Sequence, residues 1–219
     1  LFAQVYADLT ASGVETVVSV HLSGDMSGTA DAARLGAQES GCNVQVVDSR
    51  TIGMGLGFGV LAAASAAREG LGADAVVAAA EQALAGTKTY FYVDTLEYLR
   101  RGGRIGAAQA WLGSALAVKP LLHVEEGHIA PLEKVRTASR ALGRLEDLVV
   151  AEAGDLPVSV AIHHLAAPSR AAALAEALDA RIPKLEELYT CEVGAVVGAH
   201  VGPGMLGVVI CKAPTPVVP

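Results

Sequence analysis

His21-Leu22-Ser23-Gly24-Asp25-Met26-Ser27-Gly28-Thr29, entered from the apolar run Thr16 to Leu22 and followed by the alanine-rich stretch Ala30 to Ala37, decides the fold. The first part is rich in β-branched residues and reads as a buried strand; the last part has the composition of a helix. Between them lies a loop of small polar residues, where a hydroxyl in Ser27-Gly28-Thr29 would cap the helix.

The same alternation extends outward. Phe2, Val5, Tyr6 and Leu9 recur at helical spacing, with Gly13 as a C-terminal stop. Downstream come a strand at Val44 to Val47, ended by Asp48 and Ser49, a glycine-rich turn, a helix from about Gly57 to Arg68, and a helix at Asp74 to Leu84. Alternating strands and helices imply a parallel sheet covered on both faces. The pattern changes after Thr87. Tyr90 to Val93 is a strand, Leu96 to Arg101 a short helix stopped by Gly102-Gly103, and Leu121 to Val124 with Ile129 to Val135 form a hairpin around Glu126-Gly127. A helix striped by Leu142, Leu145 and Val149 follows, then strands at Val158 to His163, Leu188 to Val193 and Leu206 to Cys211, with a helix at Ser169 to Ala180. The expectation is an α/β protein of two domains, residues 1–86 and 87–219, with different sheets. Pro214 to Pro219 reads as a frayed end.

Composition narrows the partners. Apolar residues make up 52% of the 219 positions but aromatics only 4%, so the core must be built from Ala, Val and Leu. The formal charge is −7 and no long basic face forms, so nucleic acid is not an expected partner. Cys42, Cys191 and Cys211 are widely spaced, without a C-x-x-C pair, which suits reduced thiols in a cytosol and gives no metal site. None has an obvious partner base. Met54 to Ala67 is too short and too rich in glycine to span a bilayer. The chain opens at Leu1, already inside an amphipathic helix, and reads as a fragment.

Three segments carry candidate chemistry. The loop ending in Ser27-Gly28-Thr29 places unpaired N–H groups and hydroxyls at a helix start, which makes an anion site; the same residues also fit a simple cap. No lysine follows the glycines, so it is not a Walker loop. His200-Val201-Gly202-Pro203-Gly204 holds an imidazole beside a constrained turn, where it could donate to a carboxylate or be an ordinary turn histidine. His163-His164 is a poor chelate, because adjacent strand residues face opposite ways. Arg100, Arg101 and Arg104, with Lys134 and Arg136, supply local positive charge for an anionic ligand or an acidic surface. Arg100 and Arg101 also fit a helix C-terminus. No G-x-S-x-G elbow is present.

Ser23-Gly24-Asp25-Met26-Ser27-Gly28-Thr29, Val47-Asp48-Ser49, Leu96-Glu97-Tyr98-Leu99-Arg100-Arg101-Gly102-Gly103-Arg104-Ile105, Lys119-Pro120-Leu121-Leu122, Lys134-Val135-Arg136 and His200-Val201-Gly202-Pro203-Gly204 follow one another in the order and spacing of the DegV family. The chain resembles that family throughout. The resemblance implies a parallel α/β/α domain joined to an α/β domain with a mixed six-stranded sheet. It also implies a long-chain fatty acid, of the palmitate, stearate or oleate class, in a tunnel between the domains. The carboxylate would be offered to a separate fatty acid kinase, making this chain a cytoplasmic bacterial carrier and not the catalyst, with no cofactor and no stable membrane insertion. Carried over by motif, Ser27, Gly28, Thr29 and His200 bind the carboxylate, while Arg104 and Arg136 dock the kinase. Gly24 and Ala30 depart from the serine and aromatic residue usual around the triplet. The family's opening strand and a threonine-serine-glutamine-proline segment, which adds a hydroxyl to the head-group site, fall before Leu1. The competing readings are a phosphate-ester or sugar-phosphate enzyme with the Ser27 helix as anion cradle, and a regulatory module with a vestigial pocket.

Overall fold

The structure, a computed structural model, describes residues 1–112 and 119–212; the proline-rich tail lies outside them. It forms two compact units, Leu1–Ala85 and Gly86–Pro219.

In the first unit, β1 (Val17–His21) pairs in parallel with β2 (Val44–Asp48), so that His21 stands opposite Asp48. Helices α1 (Phe2–Ala11) and α2 (Thr29–Ser40) pack on each other, as do α3 (Met54–Arg68) and α4 (Ala73–Ala85). With few aromatics available, the helices approach through small residues. A Cβ at Gly36 of α2 would lie 2.6 Å from Phe2 Cβ, and one at Gly59 of α3 would lie 2.8 Å from Leu84 Cγ. Ala63, Ala66, Val76 and Ala80 bury the α3–α4 seam. Such seams gain stability from close contact and excluded water, although each side chain is small.

The second unit is a mixed sheet of order β5-β4-β3-β8-β6-β7. Its strands are β3 (Thr87–Tyr92), β4 (Lys119–Glu125), β5 (His128–Val135), β6 (Val158–His164), β7 (Leu185–Glu192) and β8 (Leu206–Lys212); only β6 and β7 pair in parallel. The β4–β5 turn uses Glu126 and Gly127, both at positive φ (47° and 84°), the geometry of a tight hairpin. Alternation along β6 and β8 sends Val158, Val160, Ile162, Leu206, Val208 and Ile210 into one core with Leu145, Val149, Leu174 and Leu178 from α6 (Ala138–Ala153) and α7 (Pro168–Arg181). Ser159, Ala161 and His163 therefore face the other side of the sheet. The α6 N-terminus is capped by Thr137, whose Oγ1 accepts the Arg140 N–H at 3.3 Å.

Periodicity missed two short elements: a 3₁₀ turn at Gly106–Trp111, and α8 (Ala195–Val201), only seven residues long and interrupted by Gly198. His200 consequently sits in the last turn of a helix and not in the glycine-proline-glycine turn, which begins at the helix C-cap, Gly202.

Candidate functional site

The loop 23–29 is built by the strand ends beneath it. Asp48, at the end of β2, accepts the Gly24 N–H at 3.1 Å through Oδ2 and the Arg50 N–H at 2.9 Å through Oδ1. Ser23 N–H donates to Thr51 O and Ser49 N–H to His21 O, each at 2.9 Å. The two loops are thus sewn into one, with Ser23, Ser49 and Thr51 buried. This explains why Val47-Asp48-Ser49 belongs to the motif set.

At the loop's end, Ser27 and Thr29 share a hydroxyl–hydroxyl hydrogen bond of 2.7 Å, and Ser27 Oγ accepts the Thr29 N–H at 3.3 Å. Gly28 is the N-cap of α2, without a side-chain cap of its own, and is exposed. The Ser27 hydroxyl therefore bonds a helix-start amide, as a cap does. The first-turn amides still lack carbonyl partners within the helix and carry its partial positive charge. Ser27 and Thr29 are half-buried, a setting that can receive an oxyanion.

Behind this loop, Tyr6 Oη and Ser19 Oγ lie 2.9 Å apart, and Ser19 Oγ lies 2.8 Å from His21 Nε2. The Phe2 and His21 rings are nearly perpendicular, their centroids 5.2 Å apart. Burial lowers the His21 pKa, Arg34 lowers it further, and Asp48 opposes them.

A groove of about 820 Å³ also lies in the first unit, between β1 and the helices α3 and α4. Val18, Ser19 and Val20 line it with Val60, Ala63 and Val76. Ser27, Gly28 and Thr29 do not.

In the second unit, α5 (Glu97–Arg101) packs against α8. The His200 ring lies on Gly102, where a Cβ would collide with Nδ1, and the Tyr98 ring lies on Gly202, where a Cβ would collide with the ring edge. His200 Nδ1 is buried and has no hydrogen-bond partner among the described residues. Arg104 follows Gly103 (φ 68°) and donates to Gly102 O at 2.8 Å. Arg100 and Arg101 both bind Glu97, at 2.6 to 2.8 Å, and these hydrogen bonds hold the Glu97 carboxyl at about 2. Arg136 is exposed between β5 and α6.

An ionic cluster anchors the approach to α5. Asp94 accepts from Tyr92 Oη at 2.5 Å and from Lys119 Nζ at 3.0 Å, with Arg170 at 3.9 Å, and its carboxylate lies against Gly204. Burial would raise the Asp94 pKa, but the donors Tyr92 and Lys119, with Arg170, outweigh it and leave the carboxyl low. Lys119 heads the lysine-proline motif, so the two motifs meet here.

Sequence reasoning found no base for any cysteine; the structure supplies one. Parallel pairing sets His163 opposite Cys191, and Cys191 Sγ lies 3.2 Å from His163 Nδ1. Nothing short of the β6–β7 register could have revealed that contact. His164 lies on the opposite face of the sheet, its Nδ1 4.0 Å from Glu192. Among the described residues no group of three or more His, Cys, Asp or Glu is placed to hold a metal, and no helix is long and apolar enough to cross a membrane.

Of the expected site residues, Ser27, Gly28 and Thr29 form one cluster in the first unit. His200 and Arg104 converge on Gly102 in the second, and Arg136 lies on a separate loop there.

Residues 1–213 match the family model described as "Uncharacterised protein, DegV family". A DegV domain-containing protein of Streptomyces coelicolor is 59% identical over 210 residues, covering 96% of this chain and 75% of the relative. Among solved structures, the DegV family protein from Thermus thermophilus, reported for its fatty acid binding, superposes with a TM-score of 0.91 at 35% identity, covering 97% of this chain and 76% of the other. DegV of Bacillus subtilis, a fatty acid binding protein, superposes with a TM-score of 0.86 at 35% identity over 97% and 76%.

Proposed function

Because the chain belongs to the DegV family, we propose that it binds one long-chain fatty acid and presents the carboxylate to a separate fatty acid kinase, without catalysing the transfer itself. The observation that carries this reading is the fold shared with the fatty-acid-binding proteins from Thermus thermophilus and Bacillus subtilis, at 35% identity over nearly the whole chain.

The physical chemistry is consistent. A buried acyl chain contributes roughly 0.8 kcal/mol per CH₂, so a long tail supplies the affinity. Its carboxylate would cost several kcal/mol to desolvate unless fixed donors received it. Ser27 and the start of α2 offer a hydroxyl and helix amides; His200 offers an imidazole N–H. Arg104 and Arg136, both exposed, are assigned to docking the kinase.

The decisive experiment is native mass spectrometry of the purified chain, followed by extraction of bound lipid and titration with palmitate and oleate. A stoichiometric fatty acid is expected. No co-purifying lipid and no binding of either acid would favour a regulatory module with a vestigial pocket. Turnover of a phosphorylated small molecule by the chain alone would favour the phosphate-ester enzyme instead.

A further inference from the structure

We propose that Gly102 is a positioning residue, which admits the His200 ring against its Cα, seals Nδ1 and leaves the Nε2–H as the ring's one donor to the ligand carboxylate. This deepens the carboxylate-binding role given to His200 above and rests on it.

The geometry fixes which edge of the ring is used. The atoms nearest to a Cβ built at Gly102 are Nδ1, Cε1 at 2.7 Å and Cγ at 3.2 Å. Cε1 and Cγ flank Nδ1, so that edge faces Gly102 while Nε2 and Cδ2 lie on the far side of the ring. Nδ1 is buried without a partner, and no hydrogen bond occupies Nε2 among the described residues.

The seat is held from several directions. The Tyr98 ring of α5 rests on Gly202 just beyond α8, the counterpart of His200 resting on Gly102 just beyond α5. Gly202 has φ 75°, which a residue with a Cβ adopts only under strain. Arg104 holds the Gly102 carbonyl, and Asp94 ties the segment before α5 to Lys119. The arginine-glycine-glycine-arginine motif thus makes a socket for an imidazole.

The proton's place follows from desolvation. The Nδ1–H tautomer would bury an unpaired donor against Gly102. With the proton on Nε2, the buried atom is a lone pair, the less costly orphan, and the donor faces the ligand.

The test uses the full chain with ¹⁵N-labelled histidine and palmitate titrations. The wild-type His200 signals are expected to show the proton on Nε2. His200→Gln, whose amide N–H reaches the Nε2 position, should keep palmitate affinity within about fivefold, whereas His200→Asn should lose about tenfold or more. Gly102→Ala should keep the fold, as the control Gly143→Ala does with no Cβ contact within 4 Å, but with a lower urea midpoint because its Cβ displaces the His200 ring. It should nevertheless lose about tenfold in affinity and shift the His200 signals.

A wild-type proton on Nδ1, Asn substituting better than Gln, or a folded Gly102→Ala with unchanged affinity and signals would each overturn the proposal. If Gly102→Ala fails to fold, the wild-type tautomer and the Gln/Asn pair decide. If the wild type binds no palmitate, the functional reading above fails, while the His200 signals in wild type and Gly102→Ala still decide whether Gly102 seats the ring.

Discussion

Asp48 accepts the Gly24 N–H at 3.1 Å, and its Oδ2 lies where it would stand only 2.8 Å from a Cβ on Gly24. The carboxylate that braces the loop has taken the space a side chain would need. Gly24→Ser should therefore push Asp48 aside and loosen the loop. We expect a loss of about 1–3 kcal/mol, read from the urea midpoint at unchanged m-value.

Ser27→Ala and His200→Ala should each weaken palmitate binding by about tenfold or more, since each removes a donor to a charged group. Arg104→Ala should leave binding intact and reduce acyl phosphate formation by the kinase. Loss of lipid binding in Arg104→Ala alone would defeat this division of roles. Isothermal titration and a coupled phosphorylation assay separate the two outcomes.

Asp94→Asn removes the charge that holds Tyr92, Lys119 and Arg170 together. It should cost about 1–3 kcal/mol in urea unfolding. Because the folded carboxyl lies below its ordinary value, its contribution is full above the unfolded pKa of about 4 and disappears as pH falls through the folded value. The Asn variant should lack this acid-dependent part, so its stability curve should approach the wild type at low pH.

The His21 pKa is lowered by burial and by Arg34, against Asp48. The unfolded chain then binds more protons than the folded one below the ordinary value of about 6.5, so stability falls as pH drops through that value toward the folded one. The urea midpoint should decline as pH falls from about 7.5 through about 6.5. His21→Gln should flatten that decline, and an equally steep decline in the variant would assign the effect elsewhere.

Much of this architecture was legible along the chain because it follows from local periodicity. Leu145 and Val149 mark the buried stripe of α6, alternation in Val158 to His163 marks β6, and Glu126-Gly127 marks the hairpin turn. The two short elements Gly106–Trp111 and α8 escaped because six or seven residues hold too few turns to display a period. For the candidate site, the sequence named Ser27, Gly28, Thr29 and His200, and motif order led to the family. It did not show that Asp48 braces Gly24, that Lys119 meets Asp94, or that Cys191 faces His163.

What the sequence determined by itself is the alternation of strands and helices, the two kinds of sheet and the motif set, because the driving pattern of apolar burial is written residue by residue. What only the tertiary structure decided is the use of the glycines. In a row of letters Gly102 looks like a helix stop and Gly202 like part of a tight turn, but in space each is a seat for an aromatic ring from the other helix. That role depends on the approach of two segments far apart in the chain, and the missing Cβ acquires its meaning from what fills its place.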